Sequence, residues 1–482
     1  MIEEIIKKLK KQTNNIEDIT YRKKIIHNKK IYLIYNEPLT SSDKISDFII
    51  RSLNNIELNY NKRKNLLELI ENNISNFKTK RINTYENICT YLHQGFTIIL
   101  IEGEKEYIAL ETKANITRSI ATPDVENSLR GAKDSFVEDY QKNIGLVKKR
   151  IKSNDLWIDT LNLGRYTKTK TAILYINKVA KEELVNKIKK RIENIDIDGI
   201  VNIDIIKNII IKENKSILPT IISTERPDTV SNALLDGKIV ILADNCPFAL
   251  IMPAVLNDFF KTPEDYYNKS INASLTRILK YLSFFIALLF PAIYIALITY
   301  NQEMIPTELL ISFSIQRDGV PFPAFFEAFI MMISFEILRE SDLRVPAFAG
   351  SSLSIVGALI LGEAAVNAGI VSPIMIIVIA LTSICSLPFT EIEIINSLRW
   401  YRLLFMVGAS TLGIIGLVFV FIYFLLEVSS LKSWGKPYLL PFVPTSISEL
   451  KDSIIRMPLK DLKKRPNYLS DNHIKQKDDQ NE

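Results

Sequence analysis

No lysine occurs between Lys280 and Lys432, although lysine is dense on both sides of that window. A chain patterned this way is built for two solvents, water at its ends and lipid in its middle. Four uncharged stretches fill the window: Tyr281–Gln302, Val345–Gly362, Ala364–Thr390 and Leu403–Leu426. Each approaches the ~20 residues that carry a helix across ~30 Å of hydrocarbon. A fifth, Phe322–Leu343, is as apolar but carries Glu327, Glu336, Arg339, Glu340 and Asp342. Helices are the open-ended way to satisfy a backbone in lipid. The window is therefore expected to form an all-α transmembrane helical bundle over 271–430.

The soluble N-terminal region reads as α/β and as two related subdomains, expected at 1–145 and 146–270. YLHQGFTIILIEGEKEYIAL (91–110) and ALLDGKIVILADNCPFALIM (233–252) match at an offset of 142, which aligns Leu92 with Leu234 and Gly95 with Gly237. Each reads as a helix end, a glycine C-cap, a strand, a tight turn and a second strand. At the same offset Ile31–Tyr35 meets Ile173–Asn177, and helices are expected at about 42–55 and 180–194.

Arg277 and Lys280 stand just before the first apolar stretch, the positive-inside signature of a cytoplasmic N-terminal region. Arg456, Lys460, Lys463, Lys464 and Arg465 place a basic tail, 431–482, on the same side. Two ends on one side require an even number of crossings, so one of the five candidates should re-enter or lie buried. The glycine-broken segment around 345–370 is the first choice. The start, MIEEIIKKLKKQ, lacks the apolar core of a signal peptide. The net charge of +6 is spread over both ends rather than gathered on one face, which argues against a nucleic-acid partner.

No catalytic signature, Walker loop or dinucleotide fingerprint appears, and no catalytic residue or cofactor is expected. The three histidines, His27, His93 and His473, have no metal-ligand spacing, and Cys89, Cys246 and Cys385 form no zinc or disulfide pattern. IDIDG (195–199) offers an Asp-x-Asp, read as a loop rather than a metal site. TERPD (224–228) reads as a helix start, with Asp228 the candidate N-cap.

Ionisable residues inside a membrane segment are expensive and default to function. On a helix over 322–343, Glu336 and Glu340 lie about 40° apart, Arg339 is about 60° from Glu336, and Glu327 is on the opposite face. This charge cluster is either an internal salt-bridge set with an interfacial Glu327, or an ion or gating path. SIVGALILGEAAVNAGIVSP (354–373) carries a stripe of small residues that lets helices pack closely, within one subunit or between copies.

These motifs, with SLRGAKDSFVED (128–139), GRYTKTKTAILY (164–175), RIENIDIDGI (191–200), PEDYY (263–267), RDGVPFP (317–323), FEILRESDLRVP (335–346) and IIRMPLKDLKKRP (454–466), resemble the A subunit of the spore germinant receptors, the GerA family. The sequence departs from that family's pattern at Glu363 and Asn367. The resemblance implies a subunit in the inner membrane of dormant spores, with its soluble subdomains and tail on the core side. It implies a permease-like B subunit that binds nutrient and a lipoprotein C subunit as partners. It also implies a ring of A subunits whose membrane part conducts ions to signal germination. Pore and gating candidates on a helix at about 351–368 are Ser351, Ser354, Gly357, Leu359, Leu361, Gly362 and Glu363, with cations the expected permeants. A stand-alone secondary transporter and a membrane-anchored α/β enzyme are the competing readings.

Overall fold

The computed structural model describes residues 2–12, 18–26, 29–59, 66–74, 78–114, 126, 131–211, 216–342, 361–471 and 474–475. The chain divides into two units. Unit 1 comprises Met1–Asn214, Ile221–Pro253 and Leu459–Glu482, and unit 2 comprises Lys215–Thr220 and Ala254–Pro458.

Unit 1 is built on two five-stranded sheets. The first holds β1 (Ile19–Ile26), β2 (Lys29–Asn36), β3 (Thr79–Ile82), β4 (Phe96–Ile101) and β5 (Tyr107–Glu111), in the order β1-β2-β4-β5-β3. The second holds β6 (Leu156–Leu163), β7 (Thr169–Ile176), β8 (Ile222–Thr224), β9 (Ile239–Ala243) and β10 (Ala249–Met252), in the order β6-β7-β9-β10-β8. All neighbours pair antiparallel. The central β4, FTIILI, is buried along its whole length because helices cover both faces. On one face Ile99, Ile101 and Ile108 meet Ile49, Leu53 and Ile70; on the other Ile98, Leu100 and Ala109 meet Leu9, Ile88 and Leu92.

The 142-residue offset holds strand by strand in part of each sheet. Ile98↔Ala109 and Lys80↔Ala109 correspond to Val240↔Ile251 and Ile222↔Ile251. Gly95 and Gly237, each just past a helix, share positive φ values of 81° and 99°. The offset slips at the next strand: Ile31 pairs with Ile101, but Ile173 pairs with Ile241, two positions short of the match. A slip of two residues keeps every side chain on its own face, so the core tolerates it.

Residue 145 falls inside the helix Tyr140–Arg150, which Asp139 caps by accepting from Gln141 N and Lys142 N. Its Ile144, Leu146 and Val147 pack on the second sheet, while the buried Lys148 ammonium reaches Asp18 at 2.9 Å and Asn36 at 3.3 Å beside the first. Residues 431–458 lie in unit 2, and the chain is in unit 1 from Leu459. There Arg465 Nε donates to Leu235 O at 2.8 Å, Lys475 meets Asp236 at 2.6 Å, and Leu469 and Ser470 are buried.

Unit 2 is helical, and its helices correct the expected spans. Counted within this unit, the helices of more than ten residues are α1 (Ser270–Thr299), α2 (Thr307–Arg317), α3 (Ala324–Asp342), α4 (Pro373–Ile384), α5 (Ile392–Leu412) and α6 (Ile414–Ser430). Residues 361–367 are also helical. Among the described residues only α1 is both long and apolar enough to cross a membrane, and it begins eleven residues before the expected Tyr281. The span expected over 364–390 is interrupted at Gly369, with φ +64°, before α4 begins. The span expected over 403–426 is two helices joined at Gly413, whose φ of 61° and ψ of −137° suit glycine alone. α6 folds back along α5: Tyr401 and Phe405 stack edge-on against Phe424, and Gly408 and Gly416 bring the backbones together. Uncharged composition marks the apolar stretch but does not show that one glycine turns it. The stretch expected over 345–362 lies outside the described residues apart from Leu361 and Gly362. Residues 216–220 seat against the same hairpin: Ser397 Oγ donates to Ile217 O at 2.6 Å and Ser216 Oγ to Glu427 at 2.8 Å.

Candidate functional site

α1 starts from a buried ionic knot. Arg277, fully enclosed, donates through Nε to Asp265 at 2.7 Å and through Nη1 to Asp452 at 2.8 Å and Ser453 O at 3.1 Å. Asp452 also accepts from the Tyr266 hydroxyl at 2.7 Å and from Lys261 at 3.2 Å. The guanidinium groups of Arg277 and Arg456 each lie 5.7 Å from the Tyr266 ring centre. Burial alone would raise the Asp452 carboxyl, but Lys261, Arg277 and Tyr266 hold it well below the usual carboxylate range. Thus PEDYY and IIRMP, nearly two hundred residues apart, meet in one cluster.

The four expected charges do not form one cluster. Glu327 is fully buried rather than interfacial. Its carboxylate takes Arg317 at 3.1 Å, Ser372 N at 3.0 Å and Ser372 Oγ at 2.8 Å, joining the starts of α3 and α4 to the end of α2. An opposite charge and two further donors make the burial tolerable. Glu336 belongs elsewhere. It lies 2.8 Å from Arg399 on α5 and 3.9 Å from Arg339 on its own helix. Yet Glu336 Oε2 and Arg399 Nε have no hydrogen-bond partner among the described residues, so the close approach is poorly aligned. Arg402, one turn further along α5, is buried with its Nε likewise unpartnered, and it interacts electrostatically with Glu336, Arg339 and Arg399. Beside the pair lies a cavity of about 410 Å³ lined by Met332, Glu336, Ile337, Glu340 and Arg399 among others.

Of the pore and gating candidates, Ser351, Ser354, Gly357 and Leu359 lie outside the described residues. Leu361 and Glu363 are exposed in the single chain and Gly362 is buried. Sequence reasoning missed Arg317, Ser372, Arg399 and Arg402. The signal for the arginines was present: EIEIINSLRWYR (391–402) places charges at helical spacing directly before an apolar run.

In unit 1, Asp196 of IDIDG takes a bidentate pair from Arg165 at 2.7 and 2.6 Å. Among the described residues no group of three His, Cys, Asp or Glu side chains could hold a metal. Asp228 is not the cap expected of it. Arg226 occupies the N-cap position, and Asp228 pairs with its guanidinium at 3.0 and 2.7 Å. Glu225 accepts from Glu126 N at 2.8 Å, and Phe136 N donates to Glu225 O at 2.8 Å, so TERPD and the GAKDSF stretch brace each other.

Comparison with known proteins places these motifs. The Bacillus/Clostridium GerA spore germination protein family matches residues 7–468. Spore germination protein KA of Bacillus subtilis (strain 168) is 37% identical over 98% of this chain and 88% of its own length. Spore germination protein GerLA of Bacillus cereus is 32% identical over 97% and 95% respectively. The crystal structure of the N-terminal domain of the A subunit of the Bacillus megaterium spore germinant receptor GerK3 is similar at 29% identity, with a TM-score of 0.42. It covers 53% of this chain and 96% of that one.

Proposed function

Because the chain belongs to the Bacillus/Clostridium GerA spore germination protein family, we propose that it is the A subunit of a nutrient-responsive germination receptor and has no enzymatic activity. In this reading it sits in the spore inner membrane with unit 1 and the C-terminal segment on the core side. It works with a permease-like B subunit that binds nutrient and a lipoprotein C subunit. Several copies assemble so that the segment at about 351–368 lines a shared ion path, and its opening signals germination. The two sheets of unit 1, with their common strand order, are copies of one ancestral subdomain. The division into two soluble subdomains, a transmembrane part and a basic tail belongs to the same proposal.

The observation that carries the reading is the make-up of unit 2. An apolar helix long enough to span a bilayer is packed among helices that carry one fully buried carboxylate, Glu327 on Arg317, and one half-buried pair, Glu336 on Arg399. Ionisable groups at such depth mark ion paths and moving parts rather than anchors. The exposed Glu363 supplies an uncommitted carboxylate beside the small-residue stripe, and a ring of carboxylates favours cations. Ion release from spores carrying Leu359→Ala and Glu363→Lys tests it. The first is expected to leak without nutrient and the second to block cation release. Unchanged release in both, with the receptor present at wild-type amounts, would move the pore elsewhere.

A further inference from the structure

α3 and α5 run antiparallel. α5 begins just after Phe389, which meets Phe260, ahead of α1, and Phe284 edge-on, and ends at Gly413, which abuts Tyr300 and Asn301 at the end of α1. α3 begins on that second side: Glu327 and its partner Ser372 lie beside Tyr294, near the end of α1. Going away from that side, α3 presents Glu336 and then Glu340, while α5 presents Arg402 and then Arg399.

The charge spacings nearly match. Arg402 and Arg399 are three residues apart, about 4.5 Å along a helix, and Glu336 and Glu340 are four apart, about 6 Å. In the described arrangement Glu336 meets Arg399 in a misaligned pair, while Nε of the buried Arg402 has no hydrogen-bond partner among the described residues. A buried guanidinium in that state is costly, and moving a partner to it recovers much of the cost. Sliding α5 by about one turn away from the Gly413 side brings Arg402 level with Glu336 and Arg399 level with Glu340. The cavity beside Glu336, Glu340 and Arg399 leaves space for that exchange.

We propose that α3 and α5 form a two-register charge ladder, with Glu336 on Arg399 in one register and on Arg402 in the other. Interfaces of this kind are bistable rather than continuously deformable, and one-turn ratchets are an established way for packed helices to switch. Its role in activating a receptor rests on the function proposed above; the two registers themselves do not.

Spin labels at Phe326 and Ile392, exposed positions at opposite ends of the two helices, read the slide as a change in distance. The full-length chain is measured in lipid nanodiscs. Arg399→Gln, which leaves Glu336 only its distant contact with Arg339, is expected to move most of the population to a distance longer by about 4 Å, because the axial shift adds nearly in full. Adding Arg402→Gln returns the shorter distance, while adding Arg402→Lys keeps the longer one. If Arg399→Gln fails to fold, Arg399→Lys takes its place, weakening the pair while retaining the charge. A distance unchanged by the Arg399 substitution, or a longer distance that survives Arg402→Gln, overturns the ladder. No ion flux enters this readout, so its failure is separate from failure of the receptor reading.

Discussion

Arg226 and Asp228 are two residues apart, almost fully enclosed, and joined by two hydrogen bonds. Removing one member of such a pair leaves a desolvated charge. Asp228→Ala is therefore expected to cost unit 1 about 3 kcal/mol, read as a lower urea midpoint, whereas loss of a mere helix cap would cost about 1 kcal/mol. The sequence did carry the helix start here, but through Pro227 at the first helical position rather than through Asp228. The aspartate is a capping type in the wrong register, and only its neighbour's guanidinium explains where its side chain goes. Close by, Glu126 hydrogen-bonds Thr224 and Glu225 adds like charge. Burial, opposed by Thr224 and aided by Glu225, holds its carboxyl up to about 7. The folded chain thus keeps a proton that the unfolded chain releases near pH ~4.3. This contribution to stability is full below that pH, declines as pH rises, and is gone above about 7. Glu126→Gln should flatten the fall of the thermal midpoint between pH 5 and pH 8; identical slopes in the two proteins would contradict the assignment.

At the scale of elements, the hairpin of α5 and α6 depends on three glycines with different duties. A Cβ on Gly416 would stand 2.0 Å from Gly408 O, and one on Gly413 would meet Tyr300 and Asn301 at 2.7 Å in a backbone conformation that L side chains avoid. Gly362, by contrast, would place a Cβ at 3.8 Å from Ile376, an ordinary contact. Gly416→Ala is accordingly expected to destabilise the detergent-solubilised chain by about 3 kcal/mol, and Gly362→Ala to leave its thermal midpoint within a degree or so of wild type. Equal effects would mean that the hairpin does not close as described. The apolar window announced helices here because, short of a closed barrel, every other fold leaves backbone groups unpaired in lipid. It did not announce the turn, since Gly408, Gly413 and Gly416 look alike in sequence and only packing assigns one to the bend and two to the crossing. The charged contacts of α3 were half legible: Glu336 and Arg339 share a helix and follow from periodicity, whereas Arg399 reaches them from a helix more than fifty residues away.

At the scale of the whole molecule, the strand order of unit 1 repeats while its helices and first strands diverge. The repeat was legible where a glycine C-cap and a buried strand recur together, and the two-residue slip of β7 was not, because either register buries the same face. The C-terminal segment was read as part of a basic tail from Arg456, Lys460, Lys463, Lys464 and Arg465; its place in unit 1 rests on Leu469, Ser470 and a few hydrogen bonds to the Leu235–Asp236 corner. A chain ended after Pro458 should therefore keep its helices but digest faster in limited proteolysis at β9 and β10, with fragments identified by mass; cleavage at the wild-type rate would show that the segment contributes nothing. Because this segment is made after residues 254–458, unit 1 has a history as well as a shape. At ~5–20 residues per second, a ribosome needs roughly 10–40 s to pass from Ala254 to Pro458. Throughout that interval the two sheets wait with the Gly237 corner bare, while residues 216–220 wait for the helices they will seat against. Unit 1 is thus begun before unit 2 and completed after it, and the Leu235–Asp236 corner gains its hydrogen bonds from Arg465 and Lys475 only once the helices of unit 2 have been made.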